Sequence, residues 1–282
     1  MLAKRGIDLT SWRYSWIGAE PVYLKHLKAF EETMQPFGLQ DNVLQPSYGL
    51  AEAVVAVSFN PTGKAYSCLS ISADALHSQG LIKPTKIGEP NSLTLVANGT
   101  PIDGISVSIR RENGELASDN EQGQVWIAGD SITKGYLGGA DIDRFIGDWF
   151  DTGDLGFIHK DELYISGRTK DLIISRGVNI SPAYVEFVVE RHLDLRPGKV
   201  VAFSDQNIQQ GTEEVIIVIG VQVSKEQHAT IVREILSVII SEIGLQVDQV
   251  IFTSASNIPK TTSGKVQRAV TKQLYLDNIL RI

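Results

Sequence analysis

The sequence predicts a chain of two parts, an α/β region joined to β-hairpins over residues 1–169 and a small α+β domain over residues 170–282. Three observations support this division. A strand pattern followed by an amphipathic helix pattern lies near the N-terminus, and short strands separated by turn residues fill residues 104–168. Strands then alternate with helices beyond residue 170. The length of 282 residues is enough for two domains with real cores.

The first region begins with "SWRYSWIGAEP" (11–21), which predicts a strand running into a loop. Pro21 then predicts the start of a helix, because proline is favoured in the first helical turn. The apolar stripe of this helix is formed by Tyr23, Leu27, Phe30 and Met34. The stretch "NVLQPSYGLAEAVVAVSF" (42–59) predicts a strand, a tight turn and a short apolar segment.

Residues 60–103 are rich in Gly, Pro, Asn and Ser, and their weak periodicity predicts mostly loop with short strands. From residue 104 the pattern becomes one of hairpins. "ISVSIRR" is followed by an Asn113-Gly114 turn, and the strands continue through "ELYISGR" (162–168). This run predicts a small β-barrel or sandwich-like subdomain over about residues 104–168.

The second region shows alternating strand and helix signals. Ser181-Pro182 predicts a helix start, and Ser224 is expected to cap a long amphipathic helix that stops at Gly244. The strands are "KVVAFSD", "EEVIIVIGVQV" and "QVIFTS", and a last helix closes the chain. We place the boundary between the two regions near Lys170-Asp171.

Composition and charge exclude several classes of protein. A net charge of −7 argues against general nucleic-acid binding, and a single cysteine, Cys68, excludes an internal disulfide framework. The five histidines have no paired metal spacing. The N-terminus has no signal-peptide core, and the longest apolar runs are too short to span a bilayer. We therefore expect a soluble cytoplasmic protein without membrane insertion.

"NIPKTTSGKVQR" (257–268) contains a Gly-Lys pair, Gly264-Lys265, which directly follows three hydroxyl residues. The upstream glycine of a Walker-type phosphate loop is missing, so this stretch alone does not indicate a phosphate site. Taken alone, Lys265 is most simply interpreted as a solvated surface lysine.

Two further stretches change that interpretation. "YGLAE" (48–52) places an aromatic ring and a carboxylate in one turn, where the ring can stack on a purine and the carboxylate can hold Mg²⁺. "DWFDTGDLG" (148–156) places aspartates around a Thr-Gly turn, and a carboxylate there can accept two hydrogen bonds from a ribose diol. Each stretch also has an ordinary explanation: core packing and a surface charge for the first, turn capping for the second.

Together and in this order, the motifs resemble those of the adenylate-forming superfamily, which includes acyl- and aryl-CoA synthetases, nonribosomal adenylation domains and luciferases. The resemblance runs from "GAEP" (18–21) through "GQVWIAGDSITKGYL" (123–137) and "GRTKDLIISRGVNISPAYVE" (167–186) to "PKTTSGKVQR" (259–268). It implies that residues 1–169 form the C-terminal part of a large adenylation domain, with an incomplete α/β sheet and a small distorted β-barrel. Residues 170–282 would form its mobile C-terminal domain.

By position, the resemblance implies a binding site for ATP or AMP. Gly18 and Ala19 would line the adenine pocket, and Tyr48 would stack on the adenine. Asp154, helped by Arg168, would hold the ribose hydroxyls.

The resemblance also implies the remaining catalytic parts. Gly49 would belong to the nucleotide pocket, and Glu52 would coordinate Mg²⁺. Lys265 would bridge the substrate carboxylate and the α-phosphate during adenylation. Lys170 and Asp171 would be the hinge of the mobile domain.

Within the superfamily the chain looks most like the fatty acyl-AMP ligases, which pass the acyl group to an acyl carrier protein and not to coenzyme A. Ala51 replaces the threonine of many relatives, and "SWRYSWIGAEPV" supports the same branch. That branch carries an insertion after this turn, for which residues 60–98 are the candidate. Ile17 departs from the polar residue expected before the glycine, which leaves that pocket wall open.

The family's Ser/Thr/Gly-rich phosphate loop would precede "GAEP" by a long stretch, and this chain does not contain it. We therefore expect the missing N-terminal part to be a necessary partner and the isolated chain to be weakly active or inactive. Two alternatives stay open: a medium- or long-chain acyl-CoA ligase, and a non-catalytic domain that binds nucleotide or a carrier protein. An amino-acid-activating domain is disfavoured by "YGLAE" and "GAEPV".

Overall fold

A computed structural model of the chain describes residues 6–175, 178–207 and 212–280. Two compact units are present: one comprises residues 1–76 and 80–169, and the other comprises residues 77–79 and 170–282. Arg176 and Gly177, which belong to the motif at 167–186, lie outside the described residues.

The first half of unit one combines short strands with one helix and the start of a second, α2, whose last three residues are grouped with unit two. Its elements are β1 (Ser15–Ile17), α1 (Leu24–Met34), β2 (Leu44–Tyr48), β3 (Ser58–Phe59), β4 (Cys68–Ser72), α2 (Ala73–Gln79), β5 (Ser92–Val96) and β6 (Thr100–Pro101). Strands β1, β2, β3 and β6 form one sheet in that order, and β1 and β2 are parallel. Helix α1 makes the crossover that parallel neighbours require, and it buries Leu27 against Leu44 and Val96.

Residues 60–103 are more regular than the sequence indicates. Strands β4 and β5 pair as an antiparallel hairpin, and helix α2 follows β4 directly. The helix is capped by Ser72, whose Oγ accepts a hydrogen bond from the Ala75 amide, and it ends at Gly80 in the left-handed conformation. The sequence does not predict this helix, because seven residues are too few to show a 3.6-residue periodicity.

The second half of unit one is an antiparallel sheet. Its strands are β7 (Ile105–Arg110), β8 (Gly123–Gly129), β9 (Phe145–Ile146), β10 (Trp149–His159) and β11 (Glu162–Arg168). The order is β11-β10-β8-β7, with β9 paired to β10. Inward-facing side chains such as Val125, Ile127, Phe150 and Leu163 are fully buried and form its core.

The hairpins predicted over residues 104–168 are therefore present, but the described strands form an open sheet and not a closed barrel. The edge of β11 is bonded instead to the segment before β6. Asn98 N–H donates to Leu163 O at 2.7 Å, and Leu163 N–H donates to Gly99 O at 2.8 Å. This pairing satisfies backbone groups that barrel closure would otherwise satisfy.

Unit two is an α+β domain, as the alternation of its sequence signals predicts. Its elements are β12 (Ile173–Ser175), β13 (Val178–Ile180), α3 (Pro182–His192), β14 (Val200–Asn207), β15 (Thr212–Ile219), α4 (Lys225–Ile243), β16 (Gln249–Phe252) and α5 (Arg268–Leu276). Strands β14, β15 and β16 form one sheet, in which α4 connects the parallel pair β15 and β16. Residues 215–219 of β15 form a continuous apolar run, and all five are buried.

Among the described residues, no helix is both long enough and apolar enough to cross a membrane.

Candidate functional site

The carboxyl ends of β1 and β2 meet at one edge of the first sheet. The strands are parallel, with Ile17 opposite Pro46, so Gly18 and Ala19 lie next to the end of β2. A side chain at Gly18 would approach Ser47 O to 2.7 Å, which explains the glycine. Ala19 adopts a positive φ of 68° as the chain leaves the strand. This edge therefore presents backbone groups at close range.

Tyr48 links this edge to the antiparallel sheet. It is the last residue of β2, and its Oη donates a hydrogen bond to Asp154 Oδ2 at 2.6 Å. Burial raises the pKa of the Tyr48 phenol, and the neighbouring Asp154 carboxylate raises it further. The phenol therefore remains protonated and serves as a donor.

Asp154 is a buried carboxylate held from two sides. It is only 4% exposed, and its Oδ1 accepts a hydrogen bond from Arg168 Nε at 2.8 Å. Strand β11 supplies Arg168 directly opposite Asp154 in the ladder. Burial raises the pKa of Asp154, while Tyr48 and Arg168 oppose that shift.

Thr152 fixes the turn that carries Asp154. Its Oγ1 accepts from the Asp154 amide at 3.1 Å and donates to Val125 O at 2.7 Å in β8. The "DTGD" segment is thus anchored to the neighbouring strand through one hydroxyl. The carboxylate keeps lone pairs beyond those used by its two donors, so it can still accept hydrogen bonds from a ligand.

Gly49 follows Tyr48 where the chain folds back on itself. A side chain here would overlap the carbonyl oxygen of Val55, so only glycine fits. Val54 and Val55 close this loop with φ values of 51° and 85°, which are strained for β-branched residues. Both are largely exposed, at 74% and 73%. Packing of their side chains therefore does not offset that strain.

Glu52 lies in the short 3-10 turn Ala51–Ala53 that follows. Its Oε1 accepts a hydrogen bond from Tyr136 Oη, which in turn accepts from Arg144 Nη1 at 3.3 Å. Burial and the bond to Glu52 raise the pKa of the Tyr136 phenol. The described residues contain no group of three or more His, Cys, Asp or Glu that could hold a metal by itself. One carboxylate fits Mg²⁺ only if substrate phosphates complete the coordination, which is the usual arrangement for that ion.

Lys265 belongs to unit two and sits in a closed turn before α5. Thr261 N–H donates to Lys265 O at 2.8 Å, and Lys265 N–H donates to Thr261 Oγ1 at 3.1 Å. Gly264 takes a φ of +91° inside this turn. The backbone at Lys265 is therefore fixed by local bonds, while its ammonium sits on a flexible stem.

The predicted hinge, Lys170 and Asp171, lies in a short 3-10 turn of residues 169–171. Unit two begins at Lys170. Asp171 Oδ2 accepts a hydrogen bond from Arg268 Nη1 at 2.6 Å.

The structure thus brings together Tyr48, Asp154 and Arg168 in one bonded cluster. Glu52 is held separately by Tyr136, and Lys265 belongs to the other unit. The residues that hold these groups were not predicted from the sequence, namely Thr152, Tyr136, Arg144 and Arg268. Thr152, Tyr136 and Arg268 lie inside the motifs quoted above, but a motif gives no indication of which of its side chains bond to one another.

Two family models match the chain. The model described as AMP-binding enzyme covers residues 1–137, and the model described as Disco-interacting protein 2-like, AMP domain, covers residues 170–282.

Relatives of known identity match across both units. The chain is 32% identical to the medium-chain-fatty-acid–[acyl-carrier-protein] ligase JamA of Moorena producens, over 98% of this chain and 49% of JamA. It is 29% identical to the long-chain-fatty-acid–AMP ligase FadD32 of Mycobacterium marinum, over 98% of this chain and 50% of that protein. The chain therefore spans about half the length of the curated relatives it matches.

The fold matches as well. A solved structure from work on the fatty acyl-adenylate ligases of E. coli and L. pneumophila superposes with a TM-score of 0.86 at 31% identity, over 97% of this chain and 49% of that one. The two family models cover residues 1–137 and 170–282, and the two relatives and the solved structure match over 97% or more of this chain. The chain belongs to the AMP-binding, adenylate-forming enzyme superfamily.

Proposed function

We propose that the chain forms the adenosine-binding and lysine-bearing half of a fatty acyl-AMP ligase. The reaction activates a fatty acid with ATP to an acyl-adenylate and then passes the acyl group to the phosphopantetheine thiol of an acyl carrier protein. The observation that carries the proposal is the buried Asp154 carboxylate, bonded to Tyr48 and Arg168. A carboxylate fixed in this way is suited to accept two hydrogen bonds from a ribose diol.

The nucleotide would be held at the edge of the first sheet. The Tyr48 ring stacks on adenine, Gly18, Ala19 and Gly49 allow close backbone approach, and Asp154 binds the ribose hydroxyls. This assignment is supported by the parallel pairing of β1 and β2, which puts Gly18 beside the Tyr48 strand. Glu52 would hold Mg²⁺, which, when bound, neutralises charge on the ATP phosphates.

In the first step a carboxylate oxygen of the fatty acid attacks the α-phosphorus, the bond to the β-phosphate oxygen breaks, and pyrophosphate leaves. Two anionic groups must come together in this step. The Lys265 ammonium would lie between them, where a positive charge at about 4 Å contributes about 4 kcal/mol at an effective dielectric near 20. In the second step the thiolate sulfur forms a bond to the acyl carbonyl carbon, the bond from that carbon to the phosphate oxygen breaks, and AMP leaves with that oxygen.

The acyl carrier protein is proposed as acceptor because JamA carries that partner in its name. FadD32 is named as an AMP ligase, which fits the same first step. A relative from Caulobacter vibrioides, 28% identical, is a putative acyl-CoA synthetase, and coenzyme A is therefore the second acceptor to test.

Replacement of Lys265 tests the catalytic cation. In the natural polypeptide that carries this chain, Lys265→Ala should lower acyl-adenylate formation about 100-fold or more, as expected for loss of an electrostatic donor. The measurement is ATP–pyrophosphate exchange with a fatty acid. Lys260→Ala is the matched control, because Lys260 is an exposed lysine on the same loop. Exchange near the wild-type rate in Lys265→Ala would contradict the assigned role.

The acceptor is tested by supplying each thiol in turn. The polypeptide is incubated with ATP, Mg²⁺ and a labelled fatty acid, and then with either holo-carrier protein or coenzyme A. Label transferred to the carrier protein alone supports the proposal, while label on coenzyme A identifies an acyl-CoA ligase.

The chain's own contribution is tested by nucleotide binding. We expect the 282-residue chain to bind AMP by calorimetry but to form adenylate weakly, because the relatives named here are about twice as long. Asp154→Asn should abolish that binding, while Asp148→Asn, an exposed aspartate on the same segment, should not. AMP binding without adenylate even in the natural polypeptide would instead indicate a non-catalytic nucleotide-binding domain.

A further inference from the structure

Arg268 joins three separate elements of unit two through one guanidinium group. Nη1 donates to Asp171 Oδ2 at 2.6 Å, and Nη2 donates to both carboxylate oxygens of Glu186 on α3 at 2.9 and 3.0 Å. Nε donates to Ala202 O on β14 at 3.1 Å. The Arg268 side chain is only 21% exposed, so the pairings are partly shielded from solvent.

The bonds of Arg268 to Asp171, Glu186 and Ala202, here called the clamp, are anchored in the core of unit two. Glu186 Oε1 also accepts from the Ala202 amide at 2.9 Å, which ties α3 to β14. Burial raises the pKa of Glu186 to about 7, and Arg268 and the Ala202 amide oppose that shift while Glu190 adds to it. Above pH 7 the carboxylate is therefore ionised and pairs with Arg268 as a charged group.

The other end of the clamp reaches the lysine turn through the backbone. Arg268 is the first residue of α5 and follows Lys265 by three positions. The intervening segment is bonded on both sides, because Gln267 N–H donates to Pro259 O at 2.9 Å and Lys260 pairs with Val266. The position of Lys265 relative to Arg268 is therefore fixed.

We infer that Arg268 is a positioning residue that couples the predicted hinge to the lysine turn, so that Asp171 and Lys265 move as one body. Asp171 and Arg268 are 97 residues apart in sequence, and their ion pair is a direct bond between the two segments. Backbone rotation at the predicted hinge would then occur at Lys170 and the residues before it, and not at Asp171. This inference rests on the proposed function only in giving Lys265 a catalytic role.

The test uses the intact chain and needs no turnover. Asp171→Asn removes the charge of the hinge contact and leaves the bonds to Glu186 and Ala202 in place. Amide hydrogen exchange is measured at pH 8 at Thr261, Gly264 and Lys265, whose amides make the turn bonds, and along α3 and β14. We expect about tenfold faster exchange in the lysine turn, with α3 and β14 unchanged.

Lys272→Gln is the matched control. Lys272 lies on the same helix and pairs with Asp205 at 3.1 Å, but it does not bridge to the hinge turn. Its loss should leave exchange in the lysine turn unchanged.

Two outcomes would overturn the inference. One is unchanged exchange at residues 261–265 in Asp171→Asn, and the other is a uniform rise across α3 and β14, which would mean that the pair only stabilises the unit. These outcomes are independent of catalysis. If Lys265→Ala keeps the wild-type rate of ATP–pyrophosphate exchange, the proposed catalytic role of Lys265 fails. The amide hydrogen exchange of Asp171→Asn still shows whether Asp171 is coupled to the lysine turn.

Discussion

At the scale of single residues, the proposed site depends on how the buried Asp154 carboxylate is kept ionised. Asp154 is nearly inaccessible, and burial favours its neutral form. Tyr48 and Arg168 favour the charged form from opposite oxygens. Tyr48 therefore serves two purposes in the proposed site: its ring can stack on adenine, and its hydroxyl stabilises the acceptor of the ribose.

Tyr48→Phe separates these two purposes because the ring stays and the hydroxyl is lost. Removing a donor to the carboxylate should raise the Asp154 pKa further above its ordinary value. The proposed ribose binding uses the ionised form of Asp154, so AMP affinity falls as the carboxylate is protonated at lower pH. In Tyr48→Phe this loss of affinity should have its midpoint at a higher pH than in the wild type. Calorimetric titrations of AMP between pH 5 and 8 measure this midpoint. An unchanged midpoint would mean that the hydroxyl does not affect the charge of Asp154.

Sequence alone identified the side chains of the cluster but not the bonds that organise it. Tyr48, Asp154 and Arg168 could be named because each sits in a recognisable motif. The role of Thr152 depends on the register of β10 against β8, which shifts between Asp151 and Leu155. The bonds from Tyr136 to Glu52 and from Arg268 to Asp171 connect residues 84 and 97 positions apart. No local pattern encodes such pairings.

At the scale of elements, the turn after β2 sets the geometry of the proposed nucleotide pocket. The chain folds back so tightly that Val55 O occupies the space of a side chain at Gly49. Backbone bonds from Val54, Val55 and Val57 to residues 48–51 close the loop. The sequence predicted a tight turn here, but the left-handed conformations of Val54 and Val55 are the opposite of what β-branched residues favour.

Gly49→Ala should therefore open this loop. The added methyl group has no room, so residues 54–56 must move, at a cost of about 2 kcal/mol or more in the free energy of unfolding. Chemical denaturation measures the loss, and AMP affinity should fall with it. Gly63→Ala is the control, because a side chain there meets nothing within 4 Å and costs only the left-handed backbone conformation, about 1 kcal/mol. Equal losses for the two variants would contradict the steric argument.

At the scale of the whole molecule, the alternation of strand and helix signals predicted the second unit well, and the hairpin signals predicted the strands of the first. The difference between an open sheet and a barrel could not be read from the sequence. It depends on the bonds between β11 and residues 98–99, which are set by the path of a Gly- and Asn-containing loop. Helix α2 was not predicted for a different reason. It has only seven residues, which are too few to show a helical periodicity, although its caps are local in sequence.

The two units have separate cores, and this makes their stability separable. Phe150 is fully buried in the core of the antiparallel sheet, and Ile216 is fully buried in the core of unit two. Phe150→Ala should cost about 3–5 kcal/mol and Ile216→Ala about 2–5 kcal/mol, because each leaves a cavity that its surroundings fill only partly. Hydrogen exchange resolved by residue should show each loss confined to the unit that carries the substitution. Loss of amide protection in both units after either single substitution would contradict this expectation. It would show that the two units unfold together, because a cavity in the core of one unit would then lower the stability of the other unit as well.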